Sequence, residues 1–159
     1  MKIKLIYFDK FKNNEYKRIF ESFEKRIKNF INFEIKELKE QPNLNETLSN
    51  IKLSLEKESK LIFKEIKPTS ILILLDIKGE TLDSIEFADF LKKSINQSNK
   101  KEIIFIIGSS HGVDDNFKQI CNYRISFSKM TFCKELFKVI FIEQLYRALT
   151  IINNINYHK

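Results

Sequence analysis

Apolar positions along this chain alternate between two periods, one close to two residues and one close to 3.6. Ile3 to Phe8 is an apolar run of strand length. Tyr16, Ile19, Phe20, Phe23, Ile27 and Phe30 then recur at helical spacing. Phe33 and Ile35 alternate with charged residues and predict a second strand. Gln41-Pro42-Asn43 breaks the chain. After it Leu44, Leu48, Ile51, Leu55 and Ile62 mark one face of a second helix.

Ser70 to Ile77 predicts a third strand, apolar on both faces as a strand covered on both sides must be. Phe87, Leu91 and Ile95 give a third helix, and Ile103 to Ile107 a fourth buried strand. Val113, Phe117 and Ile120 mark a short helix, Ile125 and Phe127 a fifth strand, and a last helix runs from about Lys134 to Ile152. A polar tail, Asn153 to Lys159, follows. Strand, crossover helix and strand in repetition specify the α/β class, a mostly parallel sheet with helices on both faces. Residues 1–159 form one domain in this reading. Periodicity does not give the strand order.

Leu136, Phe137, Val139, Ile140, Phe141 and Ile142 make the last helix apolar around most of its circumference. Such a helix is central in its own fold or covered by a second subunit. A homodimer is the favoured expectation, because the last helix of so small a sheet seldom has protein on both sides.

Composition narrows the function. The chain is 43% hydrophobic and 31% charged, with a net charge of +7, which suits a phosphate-bearing partner. AT-rich codon usage would also enrich Lys, Ile, Asn and Phe without any such partner. Cys121 and Cys133 are far apart and only two histidines are present, so no metal site is expected. No apolar run approaches membrane-spanning length and no signal peptide is evident, so the expectation is a cytoplasmic protein without a membrane partner.

The three glycines, Gly79, Gly108 and Gly112, all follow the third and fourth strands. Open α/β sheets bind ligands outside the carboxyl ends of their strands, and glycine there admits close backbone approach; ordinary turn chemistry is the competing explanation. No dinucleotide, P-loop or nucleophile-elbow motif occurs. Ser109, Ser110 and His111 are read as polar loop residues. The segment Ser126-Phe127-Ser128-Lys129-Met130-Thr131-Phe132 mixes apolar and hydroxyl side chains where a solvent turn would favour Gly, Pro, Asn or Asp. Phe127, Met130 and Phe132 either flank a flat ligand such as adenine or plug the end of the sheet. Arg147, inside an apolar helix, needs an anion, which Glu143 one turn earlier or a phosphate would provide. Asn153 to Lys159 has no apolar periodicity and so no packing reason to end in Tyr157-His158-Lys159.

Taken in order, these pieces resemble the RlmH family of SPOUT methyltransferases. Phe105 through Gly112 is similar to the family's glycine-rich loop, Ser126 through Phe132 to its S-F-S-K-M-T-F segment, and Leu75 through Gly79 to its third-strand loop. Ile142 through Ala148 and Tyr157-His158-Lys159 match its carboxyl-terminal pattern. The resemblance implies a carboxyl-terminal trefoil knot, a homodimer and S-adenosylmethionine as cofactor. It implies methylation of N3 of a pseudouridine in a hairpin loop of 23S ribosomal RNA within the assembled ribosome. It places Leu75, Gly108, Phe127, Ser128, Lys129, Met130, Thr131 and Phe132 at the cofactor, and Arg147, Tyr157 and His158 at the RNA and the reacting base. His158 is the candidate base, with Asp76 an outside candidate better suited to ordering its loop. The chain departs from the pattern at Ser109, where the family has a second glycine, and at Cys133-Lys134, where it has Pro-His. The rival expectations are a SPOUT enzyme acting on another RNA, such as transfer RNA, and a non-catalytic ribosome-binding or assembly protein.

Overall fold

The computed structural model describes residues 1–42 and 45–158; Asn43, Leu44 and Lys159, each named above, lie outside the described residues. Among the described residues five strands, β1 (Lys2–Phe8), β2 (Asn32–Leu38), β3 (Ser70–Thr81), β4 (Glu102–Ile107) and β5 (Tyr123–Ser126), alternate with five helices. The helices are α1 (Asn14–Ile27), α2 (Leu48–Phe63), α3 (Ser84–Ile95), α4 (Asp115–Ile120) and α5 (Lys134–Ile152). All strand pairs are parallel and the order across the sheet is β2-β1-β4-β3-β5.

Alternation along the central strands sends successive side chains into two cores. Ile3, Leu5, Ile71, Ile73, Ile103 and Phe105 meet Phe20 of α1, Phe87 and Leu91 of α3, and Phe141, Leu145 and Leu149 of α5. Ile6, Leu72, Leu74, Ile104 and Ile106 meet Ile62 of α2 and Phe117 of α4. Helices therefore cover both faces, as the strand hydrophobicity requires.

α5 packs against both α1 and α3, so its broad apolar surface is in large part explained within its own fold. Its remaining apolar stripe, Leu136 and Ile140, is half-buried. α2 is held more loosely than its sequence face predicts: Ile62 is buried, but Leu48 is 88% exposed. Instead α2 buries Glu58 and Ser59.

β3 is longer than its apolar run. It bulges outward after Leu75 and rejoins β5 at Glu80 and Thr81, with Leu75 and Glu80 both opposite Ile125. Gly79 is required at the return, since a Cβ there would lie 2.6 Å from the Arg124 carbonyl carbon and the Ile125 amide. Within the bulge the Asp76 carboxylate accepts from the Lys78 amide at 3.1 Å and from the Arg124 guanidinium at 2.7 Å. That fits Asp76 as a residue that orders its loop.

Candidate functional site

Because β5, β3 and β4 are neighbours, the loops that leave their carboxyl ends converge. Residues 75–77, 107–110, 112, 125–128 and 130–132, with Lys134 and Phe137 from the start of α5, enclose a cleft of about 290 Å³. This is where an open parallel sheet places a ligand.

The β4–α4 loop folds back on itself. Ser109 and Gly112 exchange backbone hydrogen bonds, both 3.0 Å, and Gly112 adopts a φ of 86°. A Cβ on Gly108 would lie 2.5 Å from the Gly112 carbonyl oxygen. Glycine at 108 is thus demanded by the loop's own closure, and the loop in turn forms the cleft wall. Ser109 is accommodated, its hydroxyl donating to the Gly112 carbonyl at 3.4 Å.

The 126–132 segment is tied together by its own hydroxyl groups. The Ser126 hydroxyl donates to the Ser128 carbonyl, and the Ser128 hydroxyl accepts from the Met130 amide, both at 2.9 Å. Phe127 plugs the sheet end, its ring 5.5 Å from Phe87, 5.8 Å from Phe137 and 6.0 Å from Phe141, and also lines the cleft. Phe132 stacks on Phe137 at 6.4 Å. Leu75, Gly108, Phe127, Ser128, Met130, Thr131 and Phe132 all stand on the cleft wall; Lys129 is exposed and is not on that wall. The wall mixes apolar side chains, among them Leu75, Phe127, Met130 and Phe132, with hydroxyl side chains and loop backbone, as ligand clefts with a few placed polar groups do.

Sequence reasoning passed over Lys134 except as a departure from pattern, and set Ser110 aside. The structure joins them. The Lys134 ammonium bonds Glu40 and lies 3.4 Å from Asp9, while Glu40 accepts from the Ser110 amide at 3.0 Å. Burial works to raise the Glu40 carboxyl, but hydrogen bonds from Lys134 and Ser110 hold it down at about 2. Glu58 behind the loop is pushed up by burial, with hydrogen bonds from Ser109 and Gln41 opposing. Asp9, at a φ of 61°, also turns its carbonyl to the buried Lys138, which donates at 2.7 Å and lies 4.2 Å from the Tyr7 ring centroid. Burial brings Lys138 down to about 8.

Arg147, Tyr157 and His158 form a second station, outside this cleft. Arg147 donates to Glu143 Oε1 through Nε at 3.1 Å and Nη2 at 2.6 Å, and its Nη1 lies 3.4 Å from His158 Nδ1. The Tyr157 hydroxyl donates to the same Glu143 oxygen at 3.1 Å. Its ring lies 4.9 Å from Tyr146 and 4.8 Å from the Arg147 guanidinium. The expectation that the tail has no packing reason to end as it does is therefore corrected: Tyr157 folds back on α5, an aromatic contact that a search for periodicity passes over. Ten residues of helix separate Phe137 from Arg147, about 15 Å along the axis.

Among the described residues, no cluster of three or more His, Cys, Asp or Glu could hold a metal, and no helix is long and apolar enough to cross a membrane.

Comparison with known proteins bears on this geometry. A family model described as "Predicted SPOUT methyltransferase" matches residues 1–158. The ribosomal RNA large subunit methyltransferase H of Malacoplasma penetrans is 41% identical over 160 residues, covering 100% of both chains. Its namesake from Bacteroides thetaiotaomicron is 37% identical over 159 residues, 99% of each. Among solved structures, a probable methylase family protein from Haemophilus influenzae Rd KW20 matches with a TM-score of 0.53 at 14% identity, over 99% of this chain and 70% of that one. That likeness speaks to the fold.

Proposed function

The chain belongs to the SPOUT methyltransferase family, and from that premise we propose that it methylates N3 of a pseudouridine in a 23S ribosomal RNA hairpin loop on the assembled ribosome. S-adenosylmethionine is the methyl donor in this reading, held at the cleft, and the chain works as a cytoplasmic homodimer with the family's trefoil knot. The observation that carries the proposal is the convergence of Leu75, Gly108 and the 126–132 loop on one cleft whose walls suit a nucleoside. The names of its full-length relatives support the substrate.

The cofactor's sulfonium methyl is already electrophilic, so the protein's task is alignment and removal of the N3 proton. Alignment can contribute roughly 7–11 kcal/mol in well-oriented systems. Backbone groups of the 108–112 and 126–132 loops would hold the nucleoside, with Phe127 supplying an apolar wall. Arg147 and Tyr157 orient the RNA. Arg147 Nη1 has only protons to offer, so its contact engages His158 Nδ1 as an acceptor. When Arg147 turns to the RNA, Nδ1 is released to take the N3 proton.

About 15 Å of helix between the cleft and the Arg147 cluster favours a composite site: the cleft of one subunit with Arg147, Tyr157 and His158 of the other. The half-buried apolar stripe of α5 gives the subunits a surface on which to meet. Mass mapping of 23S RNA from a deletion strain tests the reaction; an unchanged modification pattern refutes it. Mixing tests the sharing. His158→Ala and Gly108→Trp chains should each be nearly inactive alone, while their random dimers regain about a quarter of the intact sites. No recovery on mixing would assign the tail to its own subunit.

A further inference from the structure

Among the described residues that line the cleft, Lys134 is the one cation and Asp76 the one anion. They come from different elements, α5 and the β3 bulge, and each is fixed from behind, Asp76 by Arg124 and Lys134 by Glu40 and Asp9. An ammonium has three N–H donors, and Lys134 uses two on these carboxylates. The Asp9 contact, at 3.4 Å, is long for a charged pair. Glu40 keeps the ammonium at the wall, because it also holds the β4–α4 loop through the Ser110 amide.

A nucleoside alone has no charged group to meet either side chain. A nucleoside whose attached chain ends in an amino acid carries an anion and a cation, and this cleft offers one fixed charge of each sign. We propose that Lys134 is a specificity-determining residue: its ammonium takes the carboxylate at the amino-acid end of the cofactor, setting that ligand apart from nucleosides that lack it. The assignment rests on the cofactor reading given above. The uncommitted N–H, and the Asp9 contact if it loosens, supply the bonds, while Glu40 keeps its place and holds the two loops together. The departure at Lys134 then marks a site built around a primary amine.

Calorimetry separates this from a structural role. The probes are S-adenosylhomocysteine and methylthioadenosine, which share the thioether nucleoside and differ in the amino-acid end. The wild-type chain should bind the first more tightly. Lys134→Met should weaken S-adenosylhomocysteine by about tenfold or more, the loss of one charge-assisted hydrogen bond, and leave methylthioadenosine within about twofold. Lys134→Arg should restore most of the preference, and Lys134→Gln puts the same question if the Met variant does not fold. Equal weakening of both ligands by Lys134→Met, or none of either, overturns the assignment. If the wild-type chain binds neither ligand, the cofactor reading itself falls first.

Discussion

At its amino-terminal end α5 sends charge into distant parts of the chain, and at its carboxyl-terminal end it keeps charge to itself. Lys134, Glu135 and Lys138 bond to Glu40, Lys12, Asn13 and Asp9, partners 94 to 129 positions away. Glu143 and Arg147 bond to each other and to Tyr157 and His158, none more than 14 positions away. The first arrangement ties the cleft wall to the scaffold, since moving the start of α5 disturbs the loops after β1, β2 and β4 together. The second is a self-contained cluster that can change partners without disturbing the cleft. One end of the helix is held by the whole fold and the other by its own near neighbours in the chain.

That contrast breaks most visibly at Arg147. Arg147→Ala should lower methyl transfer to ribosomes by about a hundredfold or more, while binding of S-adenosylhomocysteine stays within about twofold. Arg147→Lys should rescue little, because a point charge does not reproduce the planar two-pronged contact that Glu143 receives. Parallel loss of cofactor affinity would show that the two stations are one. At the other end, Glu135→Ala removes the carboxylate that accepts from the Lys12 and Asn13 amides. Urea titration should show a loss of about 2 kcal/mol. Retained stability would show that the amino-terminal end is not pinned as described.

The pinned end was the less legible of the two in sequence. Apolar periodicity located every strand and helix, and the 108–112 and 126–132 loops stood out by their residue types. The strand order was not legible, because parallel pairing depends on which apolar strands meet, and Leu75, Gly108 and Phe127 share a cleft only because β4, β3 and β5 are adjacent. The return of β3 at Glu80 was hidden too, since those residues are polar and pair through backbone. Lys138 carried no signal in the sequence, and Lys134 only its departure from the family pattern; both meet an Asp9 turn at positive φ that no spacing reveals. By contrast Glu143 and Arg147, four residues apart on a helix, were a readable pair. Local contacts leave local signals, and long-range ones do not.

Lys138 gives the finest test of the pinned end. Its amine is buried, 1% exposed, among Tyr7, Phe11, the Asp9 carbonyl and, more distantly, Lys134, Glu135 and Glu37. Burial, with Lys134 adding to it, lowers its pKa from 10.5 to about 8 against the opposing pull of Glu135, Asp9 and Glu37. Between those values the unfolded chain binds the proton and the folded chain does not, so Lys138 makes stability rise with pH across the window from about 8 to 10.5. From pH 7 to pH 9 that rise should be about 1 kcal/mol. Cys121, which burial pushes up to about 11 from 9.0, works in the opposite sense only above about pH 9. Comparing wild type with Lys138→Met over pH 7 to 9 removes titrations the two proteins share. The variant should lack the rise, and at pH 7 it should be no less stable, because it fills the space without desolvating a charge. An identical pH slope in both proteins would mean that Lys138 stays charged in place, bridging Asp9 and the aromatic rings as an ordinary cation.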